Sequence, residues 1–443
     1  MHINAHVDLD VVALDTEDAV TVLVDLTAPT PEGADDRPGQ SLVIVLDRSG
    51  SMDGEPLDGA KEAVIALIRR LAPQDQFGLV VFDDEAQVVL PVRAIRDCDV
   101  DSLATIIGRV ESGGATDISA GYMLGLREVK RALKTGNGVG ATVLLISDGY
   151  ANAGVTDPKQ IRDMAARASA KHRITSSTLG FGTDYDELLL EAVARGGNGT
   201  HALAPDVDSA MREIQQAVGD LLDKSVAAAL MRIRPQEGLV AGITVLQDLP
   251  HWAEEGEVVI NLGDFYAGEQ RKTLFTLMIP GLSALGVATV ADVIFEYTSL
   301  PELLEHEVTI PIGVNVVPGD VAQGRMPNAV VEVERLLLSV DARKRAVADS
   351  LRTGDVAGAQ RTLASAIRDL DEERQRVKTL PPRQGLHDRL DEAARDLLRL
   401  ADDVRSQDAN MAGKSAMRSY STSSRGRNTR SEQPLPTTDD EED

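Results

Sequence analysis

From Ser41 to Leu222 the chain alternates short, unbroken apolar runs with segments whose apolar residues recur at helical spacing, and no other feature narrows its fold as much. Leu42–Leu46 reads as a buried strand because all five side chains are large and aliphatic. Leu57, Ala60, Val64, Leu67, Ile68 and Leu71 then fall on one side of a helix. The rhythm continues with strands expected at Gly78–Phe82, Gln87–Val92, Thr142–Ile146 and Ile174–Gly180. Helices are expected at Asp101–Val110, Ser119–Leu133, Pro158–Ala170, Tyr185–Ala194 and Val207–Leu222. A strand reached through a crossover helix runs parallel to its predecessor. The expectation over residues 41–224 is therefore an α/β domain, a doubly wound and mainly parallel sheet with helices on both faces.

Such a sheet binds ligands in the crevice beyond the carboxyl ends of its strands. The first strand ends there in Asp47-Arg48-Ser49-Gly50-Ser51. One carboxylate followed by hydroxyls at alternating positions offers three oxygen donors from one turn, and Gly50 permits close backbone approach. Two later loops reach the same edge: Ser112–Asp117, which carries Thr116, and Ser147-Asp148-Gly149 after the strand Thr142–Ile146. A small set of oxygen donors suits a hard cation that keeps part of its water, bound at about 2.0–2.1 Å when it is Mg2+. The expected metal ligands are Asp47, Ser49, Ser51, Thr116 and Asp148, and the expected ion is Mg2+, with Mn2+ or Ca2+ as substitutes.

These residues resemble the von Willebrand factor type A (VWA) domain and its metal-ion-dependent adhesion site (MIDAS), over about residues 41–224. Thr178–Tyr185 and Gly196–Gly199 are similar to the late strand and turn of that domain. The resemblance implies a complete metal site, in which Ser49, Ser51 and Thr116 bind the ion directly while Asp47 and Asp148 act directly or through water. It further implies that an Asp or Glu of a partner protein completes the shell, making the chain a non-enzymatic interaction module, an intracellular adaptor or scaffold. By the same resemblance, the alternative is a regulatory subunit of an AAA+ ATPase of the MoxR or chelatase type.

The flanks have other patterns. Residues 1–40 hold two strand-like runs, His6–Leu14 and Ala19–Leu26, then a Pro- and Gly-rich linker. Residues 225–318 hold strand-like runs at Val226–Ile233, Gly242–Leu246, Glu257–Leu262, Lys272–Ile279, Val287–Tyr297 and Glu307–Val317. The expectation is one β-sandwich into which the α/β domain is inserted, with a separate hairpin as the competing arrangement. Residues 325–405 carry three helical stripes, broken by Gly354-Asp355 and by Pro381-Pro382. Residues 406–443 are polar and read as a mobile tail with an acidic tip.

Charge separates these regions further. The net charge of −26 divides into −25 over residues 1–324, +5 over 325–431 and −6 over 432–443. An acidic body makes nucleic acid and anionic membrane poor partners. Lys414, Arg418, Arg425, Arg427 and Arg430 nonetheless form a basic stretch around Tyr420, read as a solvated tail or as a docking or nucleic-acid segment. The tip Asp439–Asp443 offers carboxylates to a neighbouring copy, a route to self-association.

Other chemistries find little support. The single Cys98, in an acidic setting, excludes an internal disulfide and a Cys-based zinc site. A serine nucleophile would need a nearby histidine base, and only His201 stands near a strand-end loop. Gly196–Gly199 precedes a strand and lacks a following Lys-Ser/Thr, so it is not a phosphate loop. No leader and no membrane span are expected, which points to the cytoplasm.

Overall fold

A computed structural model describes residues 1–30, 39–135, 141–182, 185–204, 206, 209–210, 212–214, 224–300, 302–379, 385–406, 409–423 and 427–428. In the first part of the chain, β1 (His2–Val7), β2 (Val11–Ala13) and β3 (Asp18–Thr27) precede the α/β domain. Its six-stranded sheet is built from β4 (Ser41–Asp47), β5 (Gln76–Phe82), β6 (Ala86–Ala94), β7 (Ala141–Ser147), β8 (Ile174–Phe181) and β9 (Asn198–Ala204), in the order β6-β5-β4-β7-β8-β9. All pairings are parallel except β5 with the edge strand β6. The sheet is therefore mixed, and short β5–β6 spacing explains why: the three residues Asp83–Glu85 cannot hold the crossover a parallel return requires. Every residue of β4, β7 and β8 is buried, as strands between two helix layers should be, although β8 carries Thr175, Ser176, Ser177 and Thr178.

Helices α1 (Glu55–Ile68) and α2 (Val100–Gly108) pack on one face, where Leu42, Ile44, Leu46, Leu67 and Ile107 share a core. Helices α3 (Ile118–Thr135), α4 (Pro158–His172) and α5 (Glu187–Gly196) cover the other, around Val43, Val45, Val143, Tyr122 and Leu189. The helix expected at Val207–Leu222 lies mostly outside the described residues.

After β9 come β10 (Lys224–Pro235), β11 (Gly242–Val245), β12 (His251–Glu254), β13 (Glu257–Tyr266), β14 (Gln270–Ile279), β15 (Gly286–Ser299) and β16 (Leu304–Val317). They join the N-terminal strands in two sheets. One runs β1-β3-β14-β11, and the other β12-β13-β10-β15-β16-β2. β3 and β14 pair antiparallel over their whole length, from Thr27 opposite Gln270 to Asp18 opposite Ile279. The two sheets share one cluster that includes Val22, Val24, Phe275, Leu277, Met231, Phe265, Val293 and Val314. The run His6–Leu14 is not one strand. It breaks at Asp8, whose carboxylate accepts from the Leu9 and Thr21 amides, and β2 continues alone into the second sheet, parallel to β16. β12 was absent from the sequence reading; three of its four residues are exposed, so it shows no apolar pattern.

Helices α6 (Ala329–Arg352), α7 (Val356–Lys378), α8 (Leu386–Ser406) and α9 (Ala409–Ser423) enclose a fourth cluster, with Val340, Val347, Leu363, Leu370, Leu390 and Leu397 buried. α9 corrects the expected mobile tail. Ala412, Ala416, Met417 and Tyr420 are buried in the same cluster, and the two alanines among them weakened the stripe in a search for large apolar residues. Lys414 is buried as well, so the solvated-tail reading fails there. A two-residue strand, β17 (Arg427–Asn428), adds to β14. Arg425, Arg430 and the tip Asp439–Asp443 lie outside the described residues. No helix among the described residues is long and apolar enough to cross a membrane.

Candidate metal centre

The order of the mixed sheet reverses at β4, whose neighbours are β5 on one side and β7 on the other. The carboxyl ends of β4 and β7 therefore flank the crevice of a topological switch point. Asp47 is the last residue of β4 and Ser147 the last of β7. The Ser147 hydroxyl donates to Asp47 Oδ2 at 2.5 Å, and the Ser49 amide donates to Asp47 Oδ1 at 2.8 Å. The five-residue turn is thus wound around the carboxylate of its first residue.

The other expected ligands converge on this turn. Ser49 Oγ lies 3.2 Å from Ser51 Oγ, and the Ser51 hydroxyl donates to Asp148 Oδ1 at 2.7 Å. The loop that carries Thr116 is laced to the turn by two backbone bonds, Gly50 N–H to the Gly114 carbonyl at 3.0 Å and Gly113 N–H to the Arg48 carbonyl at 2.6 Å. A methyl on Gly149 would sit 3.1 Å from Thr116 Oγ1 and 3.4 Å from Ser51 Oγ, which places both hydroxyls around one small space. Thr116 and Ser51 border that space, and hydrogen bonds or close contacts join Asp148, Ser49 and Asp47 to Ser51 in turn.

Several supporting residues escaped the sequence reading. Asn152 grips Thr116 from both sides of its peptide: its Oδ1 accepts from the Thr116 amide at 2.9 Å, and its own amide donates to the Thr116 carbonyl at 3.1 Å. Asp83 pairs with Arg48 at 2.9 Å and accepts, through its carbonyl, from the Asp117 amide at 2.8 Å. Ser147 was visible beside Asp148, but its hold on Asp47 needs the β4–β7 pairing. No spacing rule points to Asn152 or Asp83.

Electrostatics fit a cation. Asp47 is fully buried, and burial pushes its carboxyl up to about 6; the Ser147 hydroxyl and Ser49 donors partly oppose this, while Asp148 adds to it. Burial also raises Asp148, offset in part by the Ser51 hydroxyl. Among the described residues no cationic side chain forms an ion pair with either carboxyl, and Arg48 turns to Asp83. Two carboxylates and three hydroxyls with no positive partner form a donor set for a hard divalent ion. Among the described residues, no group of three or more His, Cys, Asp and Glu could hold a metal, so any cation here depends on the hydroxyls.

A hydrolytic reading finds no geometry. His201 is buried, with Nδ1 2.9 Å from Thr178 Oγ1 and Nε2 3.3 Å from Tyr185 Oη, and it hydrogen-bonds neither Ser49 nor Ser51. Gly197 and Gly199 pack against the backbone and side chains of Ser176 and Ser177, where a Cβ would collide. Burial raises the Cys98 thiol, and its Sγ lies 3.4 Å from the Ala94 carbonyl.

Residues 41–217 match the family model of the von Willebrand factor type A domain. The protein sll0103 of Synechocystis sp. is 27% identical over 342 residues, covering 74% of this chain and 78% of its own length. Human inter-alpha-trypsin inhibitor heavy chain H4 is 28% identical over 187 residues, covering 41% of this chain; the chain spans only 20% of that relative. Among solved structures, the von Willebrand factor type A protein from Catenulispora acidiphila superimposes with a TM-score of 0.70 at 16% identity, covering 96% of this chain and 97% of its own. That likeness concerns the fold, including the sheets and helices outside residues 41–217.

Proposed function

Because residues 41–217 form a von Willebrand factor type A domain, we propose that Asp47, Ser49, Ser51, Thr116 and Asp148 constitute a complete metal-ion-dependent adhesion site. The single observation that carries this reading is the run of contacts Ser147–Asp47–Ser49–Ser51–Asp148, closed by Thr116 across Gly149. Bound there, Mg2+ would supply a local positive charge able to take a carboxylate from another protein. Mn2+ and Ca2+ share the same donor preference. The chain itself does the positioning: β4 and β7 present the two aspartates, and Asn152 sets the Thr116 loop.

The function is protein capture without catalysis. The acidic body repels an acidic partner at long range, so recognition depends on the ion at short range. The two sheets around one core form a β-sandwich that carries the inserted domain, and the helical region forms a second surface. The test is affinity capture from native lysate in Mg2+ or in EDTA, with Asp47→Ala as the control. Proteins retained by the wild-type chain in Mg2+ alone, and lost with Asp47→Ala, support the reading. Capture that survives both EDTA and Asp47→Ala overturns it. The same samples show whether an AAA+ ATPase or a second copy of the chain is the partner retained.

A further inference from the structure

We propose that α9 is a latch on the metal turn, so that docking of this C-terminal helix and binding of a divalent cation strengthen each other. The inference rests on the cation site proposed above and concerns residues that site does not contain. It begins at Asp186, which connects the turn to α5. The Asp186 amide donates to the Gly149 carbonyl at 3.1 Å, and its carboxylate accepts from the Ala151 amide and, at 3.1 Å, from the Leu189 amide. Asp186 thus caps α5 and holds residues 149–151 at once.

Side chains of α9 reach both ends of α5. At its start, the Lys414 ammonium, 3% exposed, lies 4.0 Å from the centroid of the Tyr185 ring, and its charge acts on Asp186 and Glu187. At its far end, the Tyr420 hydroxyl accepts from Arg195 Nη2 at 3.3 Å, and the Arg195 and Arg345 guanidinium groups stand 5.5 and 5.7 Å from the Tyr420 ring. On its other side, Ser415 and Ser419 donate to Asp403 and Asp396 of α8 at 2.8 and 2.5 Å. One helix therefore ties the helical region to the segment that carries Asp148.

A buried ammonium is costly unless its surroundings compensate it, and here the aromatic face and the acidic start of α5 do so. Docking of α9 therefore orders the first turn of α5, and Asp186 passes that order to residues 149–151. A cation would order the same turn from the opposite side, through Asp148 and Thr116. Each event thus prepays part of the other's ordering, and the coupling is reciprocal. Direct electrostatics predicts the opposite sign, because removing the Lys414 charge would favour a nearby cation.

The test uses the full chain and Mn2+ alone. By calorimetric titration, Lys414→Met should weaken Mn2+ binding about 5-fold or more, and Lys414→Arg should restore most of it. Mn2+ should slow amide hydrogen exchange across residues 409–423 in the wild-type protein, a readout that needs no folded variant. The latch is overturned if Mn2+ binds the wild type yet leaves that exchange unchanged, or if a folded Lys414→Met variant binds it equally or more tightly. A wild-type chain that does not bind Mn2+ at all overturns the cation site and the latch together.

Discussion

Gly149→Ala separates a site built for a small cation from a turn that merely holds itself together. Gly149 does not occupy the left-handed region, so alanine can adopt its backbone without strain. The added methyl would lie 3.1 Å from Thr116 Oγ1, tighter than an ordinary contact, and 3.4 Å from Ser51 Oγ, which is acceptable. Thr116 Oγ1 must then withdraw by about 0.3 Å to reach normal van der Waals separation. Mg2+ demands near-ideal octahedral geometry at about 2.0–2.1 Å, whereas Ca2+ accepts about 2.3–2.6 Å and variable coordination. Displacing one oxygen should therefore weaken Mg2+ about 10-fold, equivalent to about 1.4 kcal/mol, and Ca2+ by clearly less. Global stability should change by less than about 1 kcal/mol, because no backbone bond or core contact is lost. Calorimetric titration with each ion, with urea unfolding as the control, reads both quantities. Unchanged Mg2+ affinity in a stably folded variant, or a larger loss for Ca2+ than for Mg2+, would refute the reasoning.

Two further outcomes are expected. Burial pushes Glu187 from its ordinary 4.5 up to about 7, while Lys414 and Arg352 pull it down and Glu191 and Asp349 push it up. The folded state thus keeps a proton that the unfolded chain releases: the contribution is complete below about 4.5 and lost as pH rises through about 7. Glu187→Gln should flatten that decline and gain up to about 3 kcal/mol at pH 8, reduced by the lost attraction to Lys414. Urea midpoints of both proteins from pH 5 to 8 check this, and parallel curves would contradict it. The second outcome concerns the junction of the α/β domain with the β-sheets. Burial raises Asp264, but Lys224 at 2.8 Å, the Ala228 amide and the Thr175 hydroxyl outweigh it and hold the carboxyl low. Lys224→Met leaves that carboxylate buried without its cation and should cost about 3–5 kcal/mol in chemical denaturation, whereas a loss under about 1 kcal/mol would show the pair to be dispensable.

The placing of Asp47, Ser49, Ser51 and Asp148 at one sheet edge was legible because they lie in short local patterns at the ends of apolar strands, and strand ends are visible where aliphatic runs stop; Thr116 sits instead in the loop between two helices. Asp47, Ser49 and Ser51 needed only alternation after Leu42–Leu46, and Asp148 only the run Thr142–Ile146. The groups that hold them were not legible. Ser147 grips Asp47 across a strand pair 100 residues apart in sequence, and Asn152 grips Thr116 at a separation of 36. α9 stayed hidden for a different reason: its buried side includes Ala412, Ala416 and a lysine, residues that carry no strong apolar signal.

Sequence by itself thus determined the order of strands and helices in residues 41–204 and the oxygen-rich turn at their edge, since backbone periodicity and turn chemistry act over a few residues. Only the tertiary structure decided that β2 leaves β1 for another sheet, that β3 pairs with a strand some 250 residues later, and that Lys414 rests on Tyr185 rather than in water. Those choices depend on which surfaces bury one another and on where a buried charge finds compensation, and neither is encoded in the spacing of residues along the chain.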